Sequence, residues 1–286
     1  MKSLPAFAAA ILVMAPFVSA EINYAAQDKL GWKLSCQAYT FGRNGVTLFD
    51  TLDLLKGMGV KYVELFPGQK LSKDMNVNVG PGMSKEAMDA LKARFKETGI
   101  QAVAFGVTGV PGDEPGARKL FDWCKELGIE NVVSEPNPKD KAFFAMADKL
   151  CQEYKMNLAL HNHPKPSPYW DPNTVLQAVE GCSNRVGACA DTGHWFRSGL
   201  NAIECLKKVE GRIVEFHFKD LTKNGMHDVP WGRGDQDFMG MLKEIKRQGV
   251  KGVFSIEYEI GRGEELEKNV AKCVQAFSDA CTELAK

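Results

Sequence analysis

All five histidines of this chain, His161, His163, His194, His217 and His227, fall between positions 161 and 227 of 286. Most sit beside an apolar, β-like run or a loop rich in proline and glycine. Imidazole is the commonest metal ligand, and its ordinary pKa lets it exchange protons near neutrality, so the clustering predicts one site in that quarter of the chain. Carboxylates accompany the imidazoles, with Glu135, Asp191, Glu215 and Glu257 each at or near an apolar run. Carboxylates at that density need protons, basic partners or a cation, because an unpaired buried charge is expensive. A salt-bridge network through Lys219 and Arg233 is one solution. A divalent ion is the better one. Carboxylate mixed with imidazole, without a cysteine ligand set, suits Mn2+, Co2+, Fe2+ or Zn2+ rather than Ca2+ or a structural zinc.

The elements that must hold these groups repeat along the chain. Apolar, β-rich runs at Lys33–Tyr39, Lys61–Leu65, Gln101–Val107, Glu130–Ser134, Asn157–Leu160, Val186–Ala190, Ile213–Phe218 and Val253–Tyr258 alternate with amphipathic stretches. Examples of the latter are Ser84–Thr98, stopped by Gly99, and Asn201–Val209, stopped by Gly211. Asp171-Pro172 reads as the N-cap and first residue of another helix. Eight strand–helix units imply parallel pairing, and no GxGxxG turn follows the first strand. The expected fold class is α/β, a closed (β/α)8 TIM barrel.

Side chains on a barrel strand alternate between the interior and the helix layer, so parity predicts which residues meet at the C-terminal mouth. On the seventh strand Val214, Phe216 and Phe218 are expected to face the helices, and Glu215, His217 and Lys219 the interior. On the eighth, Phe254, Ile256 and Tyr258 go outward and Ser255, Glu257 and Glu259 inward. The same reasoning turns His161, Cys189, Asp191, Val133 and Glu135 inward. His163 follows only if the fifth strand continues to it before Pro164 ends it.

Composition narrows the function classes. Lys plus Arg and Asp plus Glu number 36 each, which leaves no positive field for a polyanion and argues against nucleic acid. Met1-Lys2, the apolar stretch from Leu4 to Val18, interrupted by Pro5 and Pro16, and the small-residue sequence Val18-Ser19-Ala20 resemble a signal peptide over residues 1–20. The stretch is too short to span a membrane at the roughly 20 residues required. The expectation is an exported protein, periplasmic or secreted, whose residues 21–286 form one barrel domain with no linker, as a monomer or an oligomer. Five of the eight cysteines lie in helix-like segments and two in strand-like ones, so buried thiols account for most of them.

Five segments, taken in order, resemble the xylose-isomerase-like TIM-barrel superfamily, in particular its sugar phosphate isomerase/epimerase branch, which is also similar in fold to endonuclease IV. They are Leu160-His161-Asn162-His163-Pro164, Ala190-Asp191-Thr192-Gly193-His194-Trp195, Phe216-His217-Phe218-Lys219-Asp220, Pro230-Trp231-Gly232-Arg233-Gly234-Asp235 and Ser255-Ile256-Glu257-Tyr258. The resemblance implies one divalent ion held by Asp191, His217 and Glu257, with His194 at a substrate-contacting position. Where many members carry a fifth-strand ligand Glu, this chain has His161. Either His161 or Glu135 is therefore expected to complete the ligand set.

The implied chemistry is sugar isomerisation or epimerisation. An ion that chelates adjacent oxygens of a sugar polarises its carbonyl while a base takes the neighbouring proton, giving an enediolate. Glu257 is the first candidate base, with His163, His194 and Lys219 as further proton-transfer groups. His163, His194, Trp195, Arg233 and Glu64 are candidate substrate contacts, and Gln37, Trp170 and Trp231 lie near enough in sequence to join them. Export and the lack of a basic phosphate cluster favour an unphosphorylated sugar, keto-sugar or glycoside. The rival readings are a lyase or dehydratase at the same site and a carbohydrate-binding protein without turnover. Neutral charge and export oppose endonuclease activity.

Overall fold

In the computed structural model, which describes residues 22–286 apart from Gly225, eight parallel strands close into a barrel. The expected signal segment, 1–20, lies outside the described residues. The strands are β1 (Trp32–Gln37), β2 (Tyr62–Leu65), β3 (Gln101–Phe105), β4 (Asn131–Ser134), β5 (Asn157–His161), β6 (Val186–Asp191), β7 (Ile213–Phe218) and β8 (Gly252–Ile256). Each pairs with its sequence neighbours, and β8 returns to β1 with Ser35 opposite Ser255. Every expected strand is present. Between β7 and β8 a short antiparallel ladder, Asp220–Leu221 with Asp228–Val229, stands beside the mouth. Among the described residues no helix is long and apolar enough to cross a membrane.

Local chemistry sets the helix starts. The side chains of Ser84, Asp171 and Asn201 accept hydrogen bonds from the first turns of Lys85–Thr98, Pro172–Ala178 and Ala202–Lys208. Gly99 ends the first of these at φ 74°, a left-handed conformation that glycine adopts without a Cβ penalty. All eight cysteines are free, and all but Cys182 are buried.

The parity expectation holds across most of the barrel. Phe216, Phe218, Phe254, Ile256 and Tyr258 join the apolar layer between strands and helices. Ala104, Val133, Ala159 and Cys189 form a separate interior cluster of small side chains beneath β3–β6. Val214 is the exception. The pairing of β6 with β7 runs Ala188 to Ile213 and then Cys189 to Glu215, so one extra residue bulges from β7. Ile213 therefore packs outward and Val214, expected to face the helices, packs on the interior cluster. The bulge restores the phase at Glu215, which leaves His217 pointing into the mouth.

Gly187 makes room for that bulge. A Cβ at this position would lie 2.1 Å from the Arg212 carbonyl oxygen and 3.0 Å from a Val214 methyl. The substitution Gly187→Ala is expected to cost about 1–3 kcal/mol through backbone displacement in a packed interior, read as a lowered thermal or urea midpoint. An unchanged midpoint would show that the bulge is not held against β6.

Candidate metal centre and active site

The ends of β5, β6, β7 and β8 each bring a potential ligand to the mouth. His161, Asp191, His217 and Glu257, all buried, offer ligand atoms within 4.8 Å of one another. Two ligands on opposite sides of one ion at bond lengths of ~2.0–2.2 Å stand about 4 Å apart, so the set lies within small side-chain movements of a coordination sphere.

Asp191 ends β6 and starts the next helix, Thr192–Arg197. Its Oδ1 accepts the His194 backbone N–H at 2.7 Å, which points Oδ2 into the cavity. Asn162 clamps the same turn, donating to the Asp191 carbonyl at 3.0 Å and accepting its N–H at 2.8 Å. Thr192 makes the corresponding link to β7, donating to the Lys219 carbonyl and accepting its N–H. These stitches extend the barrel's pairing one residue beyond the strands and fix where Asp191 and Lys219 project.

The structure assigns different places to the two residues competing for the fourth ligand role. Glu135 Oε1 accepts from His161 Nδ1 at 2.9 Å and also bonds His163 Nδ1, while its Oε2 accepts the Ser167 hydroxyl at 3.2 Å. Burial works to raise the Glu135 carboxyl, but the bonds from His161 and His163 outweigh it and hold the group at about 2. A carboxylate on Nδ1 turns the other nitrogen of His161 toward the cluster. That Nε2 is buried, has no hydrogen-bond partner, and lies 3.5 Å from Asp191 Oδ2. His161 thus presents the ligand atom and Glu135 orients it, the arrangement seen behind metal-bound histidines generally.

His217 is treated in the same way. Its Nε2 meets both oxygens of Glu64 at 2.9 Å and its Nδ1 meets Glu257 Oε2 at 3.1 Å. Burial would depress the imidazolium, yet Cys189, Glu64 and Glu257 around it hold its pKa well above the ordinary value. Glu64 was expected to touch substrate; it is fully buried behind His217 and orients that ring instead.

Lys219 occupies the centre of the cluster. Its ammonium lies 2.5 Å from Asp191 Oδ2 and also bonds Glu257 Oε2, with Glu259 at 3.9 Å. Burial would lower its pKa, but Asp191 and Glu257 hold it well above that of an ordinary lysine. The lysine half of the salt-bridge scheme is therefore present, on oxygens that a divalent ion would also use, whereas Arg233 takes no part in it. With Nδ1 donating to Glu135, His161 Nε2 carries a lone pair; the Lys219 ammonium is engaged by Asp191 and Glu257 and leaves that lone pair without a partner, and a divalent ion fits it.

His194 lies beside the cluster, its Nε2 3.5 Å from Asp191 Oδ2, and burial pushes its pKa down to about 2. His163, two residues past the end of β5, keeps 48% of its side chain exposed at the rim. Two expected substrate contacts are elsewhere. Trp195 is buried in the layer between strands and helices, and Arg233 lines an outer groove of about 740 Å³ beside Trp231 and the last helix. The arginine that reaches the mouth is Arg197, which pairs with Asp228 and Glu259 and which sequence reasoning missed.

The family described as the xylose isomerase-like TIM barrel matches residues 52–278. The chain belongs to that family. The solved structure of an uncharacterized protein from Parabacteroides distasonis ATCC 8503 is 32% identical, with TM-score 0.69, and the match covers 88% of this chain and 99% of that one. The IolI protein, solved with a bound zinc atom, is 22% identical at TM-score 0.64, covering 88% of this chain and 98% of its own. An inosose dehydratase from Clostridium perfringens is 29% identical over 38% of this chain and 43% of that protein, so the match spans less than half of this relative's length. Solved neighbours of this xylose isomerase-like barrel include both epimerases and dehydratases.

Two outcomes follow from the buried charges. Lys219→Met in metal-free protein is expected to lower stability by about 3–5 kcal/mol, because Asp191 and Glu257 lose their cation; adding Mn2+ or Zn2+ should recover most of it in a thermal melt. Glu64→Ala should weaken metal binding about 10–100-fold by releasing the His217 ring, measured by competition with a chelating dye. Wild-type affinity in the second variant would separate Glu64 from the metal centre.

Proposed function

We propose that this chain is a divalent-metal-dependent enzyme that removes the proton next to the carbonyl of an unphosphorylated keto-sugar, as an isomerase or epimerase. The observation that carries the reading is the buried His161–Asp191–His217–Glu257 set, with one imidazole nitrogen left without a partner. The zinc in the IolI structure and the sugar-related chemistry of the family's epimerases and dehydratases support it. The apolar N-terminal stretch supports export, and with it a substrate met outside the cytoplasm.

When bound, a divalent ion at this set supplies Lewis-acid polarisation of the substrate's carbonyl and adjacent hydroxyl oxygens. The chain's own residues do the rest. Glu257 is the base: His217 and Lys219 engage its Oε2, while its Oε1 takes no hydrogen bond from the described residues. Those two cations hold the Glu257 carboxyl well below its usual range despite burial, so it is a weak base. Positioned acid–base catalysis contributes about 10²–10⁴ in rate, and acidification of the substrate C–H has to supply the remainder. His163, backed by Glu135 and open to the rim, carries a proton to or from a substrate oxygen. His194, neutral and buried, donates a hydrogen bond.

One observation favours elimination as a second reading. Epimerisation by two bases works best with two similar groups, one on each face. Here a carboxylate just past β8 stands across the barrel from an imidazole–carboxylate pair just past β5 and β4, a pairing suited to removing a proton at one carbon and protonating a hydroxyl leaving from the next.

Incubating keto-sugars with protein and Mn2+ or Zn2+ in D2O tests both readings. Carbon-bound deuterium in recovered substrate or its isomer is expected for isomerisation, and an unsaturated product for elimination. Glu257→Gln should abolish either signal. His163→Ala should retain metal and lose about 10²–10⁴ of the rate. Tight sugar binding with neither deuterium uptake nor product would leave a carbohydrate-binding protein in its place.

A further inference from the structure

Arg197 ties together at the mouth the segments that follow β6, β7 and β8. It ends the short helix after β6. Its Nη2 donates to Asp228 Oδ1 in the ladder after β7 at 2.9 Å, and its Nη1 to Glu259 Oε2 after β8 at 2.7 Å. Asp228 completes the ring by accepting the Glu259 N–H on Oδ2 at 2.6 Å. The guanidinium is only 20% exposed, so these bonds hold it in a single place.

The same Nη1 lies 3.2 Å from His194 Nδ1. A guanidinium has donors and no acceptor, so this contact is a hydrogen bond only if Nδ1 presents its lone pair. The proton of the neutral ring is then on Nε2, the nitrogen that faces the metal cluster near Asp191 Oδ2. We propose that Arg197 is a positioning residue that locks His194 in its Nε2–H tautomer, making this histidine a fixed hydrogen-bond donor toward a substrate oxygen. Asp228 and Glu259 hold the guanidinium from the other side, so the tautomer depends on the closure of all three loops.

Two consequences distinguish this role from simple bracing. The side chain sets which substrate atom is accepted next to the metal cluster: an oxygen with a lone pair and growing negative charge, rather than a donor. It also makes the contribution of His194 conditional on Arg197, so that losing either removes the same interaction.

The tautomer half of the proposal stands without the carbon-acid reading; the catalytic half rests on it. In metal-free protein, 15N spectra of the histidine side chains are expected to show His194 with a pyrrole-type Nε2 and a pyridine-type Nδ1. A Nδ1–H or doubly protonated His194 in the wild type overturns the proposal whatever the enzyme turns over. In Arg197→Ala the two nitrogen shifts are expected to move toward an average of both tautomers, and added guanidinium ion should restore them. Should Arg197→Ala fold poorly, Arg197→Lys serves, since one ammonium cannot reach His194, Asp228 and Glu259 together; unchanged shifts in either variant overturn the proposal. With metal and substrate, Arg197→Ala should lower kcat on the order of 10²-fold, the usual loss when one donor to a developing oxyanion is removed, with a smaller change in KM. In a His194→Gln background the same substitution should add little. Full additivity would assign Arg197 a bracing role only. Correct tautomer behaviour without any turnover would leave Arg197's role intact and sink the catalytic reading alone.

Discussion

The organising constraint of this molecule is that carboxylates are buried at the barrel mouth and must be matched there by positive charge. Asp191 and Glu257 are almost wholly removed from water, with Glu64 behind them and Glu135 at the side. Removing one partner from such a group costs several kcal/mol, far more than a surface ion pair is worth. The surroundings follow from that. Lys219 reaches in from the end of β7, His217 stands between Glu64 and Glu257, and His161 and His163 both bond Glu135. A barrel is well suited to this because every second residue on each strand is directed at one axis. Charged side chains far apart in sequence then meet without leaving their strands.

The strand ends also show why the placement is tight. Asp191 caps a helix with one oxygen and offers the other, so its carboxylate cannot rotate freely. Asn162 and Thr192 bridge neighbouring strand ends where the backbone ladder has stopped. Polar groups at these strand ends largely satisfy one another, and His161 Nε2, close to the other three potential ligands, is among the buried atoms left without a partner. Since nearly all buried polar atoms in folded proteins find a partner, an exception at the focus of four potential ligands points to the group that is missing from the partnership.

Much of this was legible in the sequence, because two simple periods carried it. Strand-length apolar runs alternating with capped helices gave eight strands, and period-two alternation brought His161, Asp191, His217, Lys219 and Glu257 to one end. What failed were features that periodicity does not encode. The bulge at Val214 arises from packing against β6, visible beforehand only as Gly187 opposite a residue that cannot be aligned from one strand. Glu64 and Glu135 were recognisable as site carboxylates, but whether each faces substrate or the back of a histidine depends on distances of an ångström or two. Trp195 follows a cluster of site residues, yet its short helix turns it into the core. Arg233 sits in a glycine-rich loop within one of the five resembling segments, whereas Arg197 lies just outside them. The signal available for Arg197 was its place six residues after Asp191, which puts it on the same short helix as His194, one turn on.

Exchanging a fifth-strand glutamate for His161 alters the charge balance in a way that bears on the chemistry. With His161 and His217 neutral, a divalent ion is matched by Asp191 and Glu257 alone, and the inner sphere has no net charge. A third carboxylate would leave it negative and less able to withdraw electrons from a bound carbonyl. Lys219 would then lie beside a neutral centre rather than an anionic one, and Glu259, 3.9 Å away, is the acidic group toward which its ammonium would shift if an ion took the shared oxygens. Glu259 is also held by Arg197, so movement of Lys219 is felt by the guanidinium on which the His194 tautomer depends. On the proposed function, metal loading, lysine position and the donor state of His194 would be connected through this one carboxylate. A site that keeps a lysine in reserve would stay compensated with or without an ion, so the barrel could fold before any metal is bound.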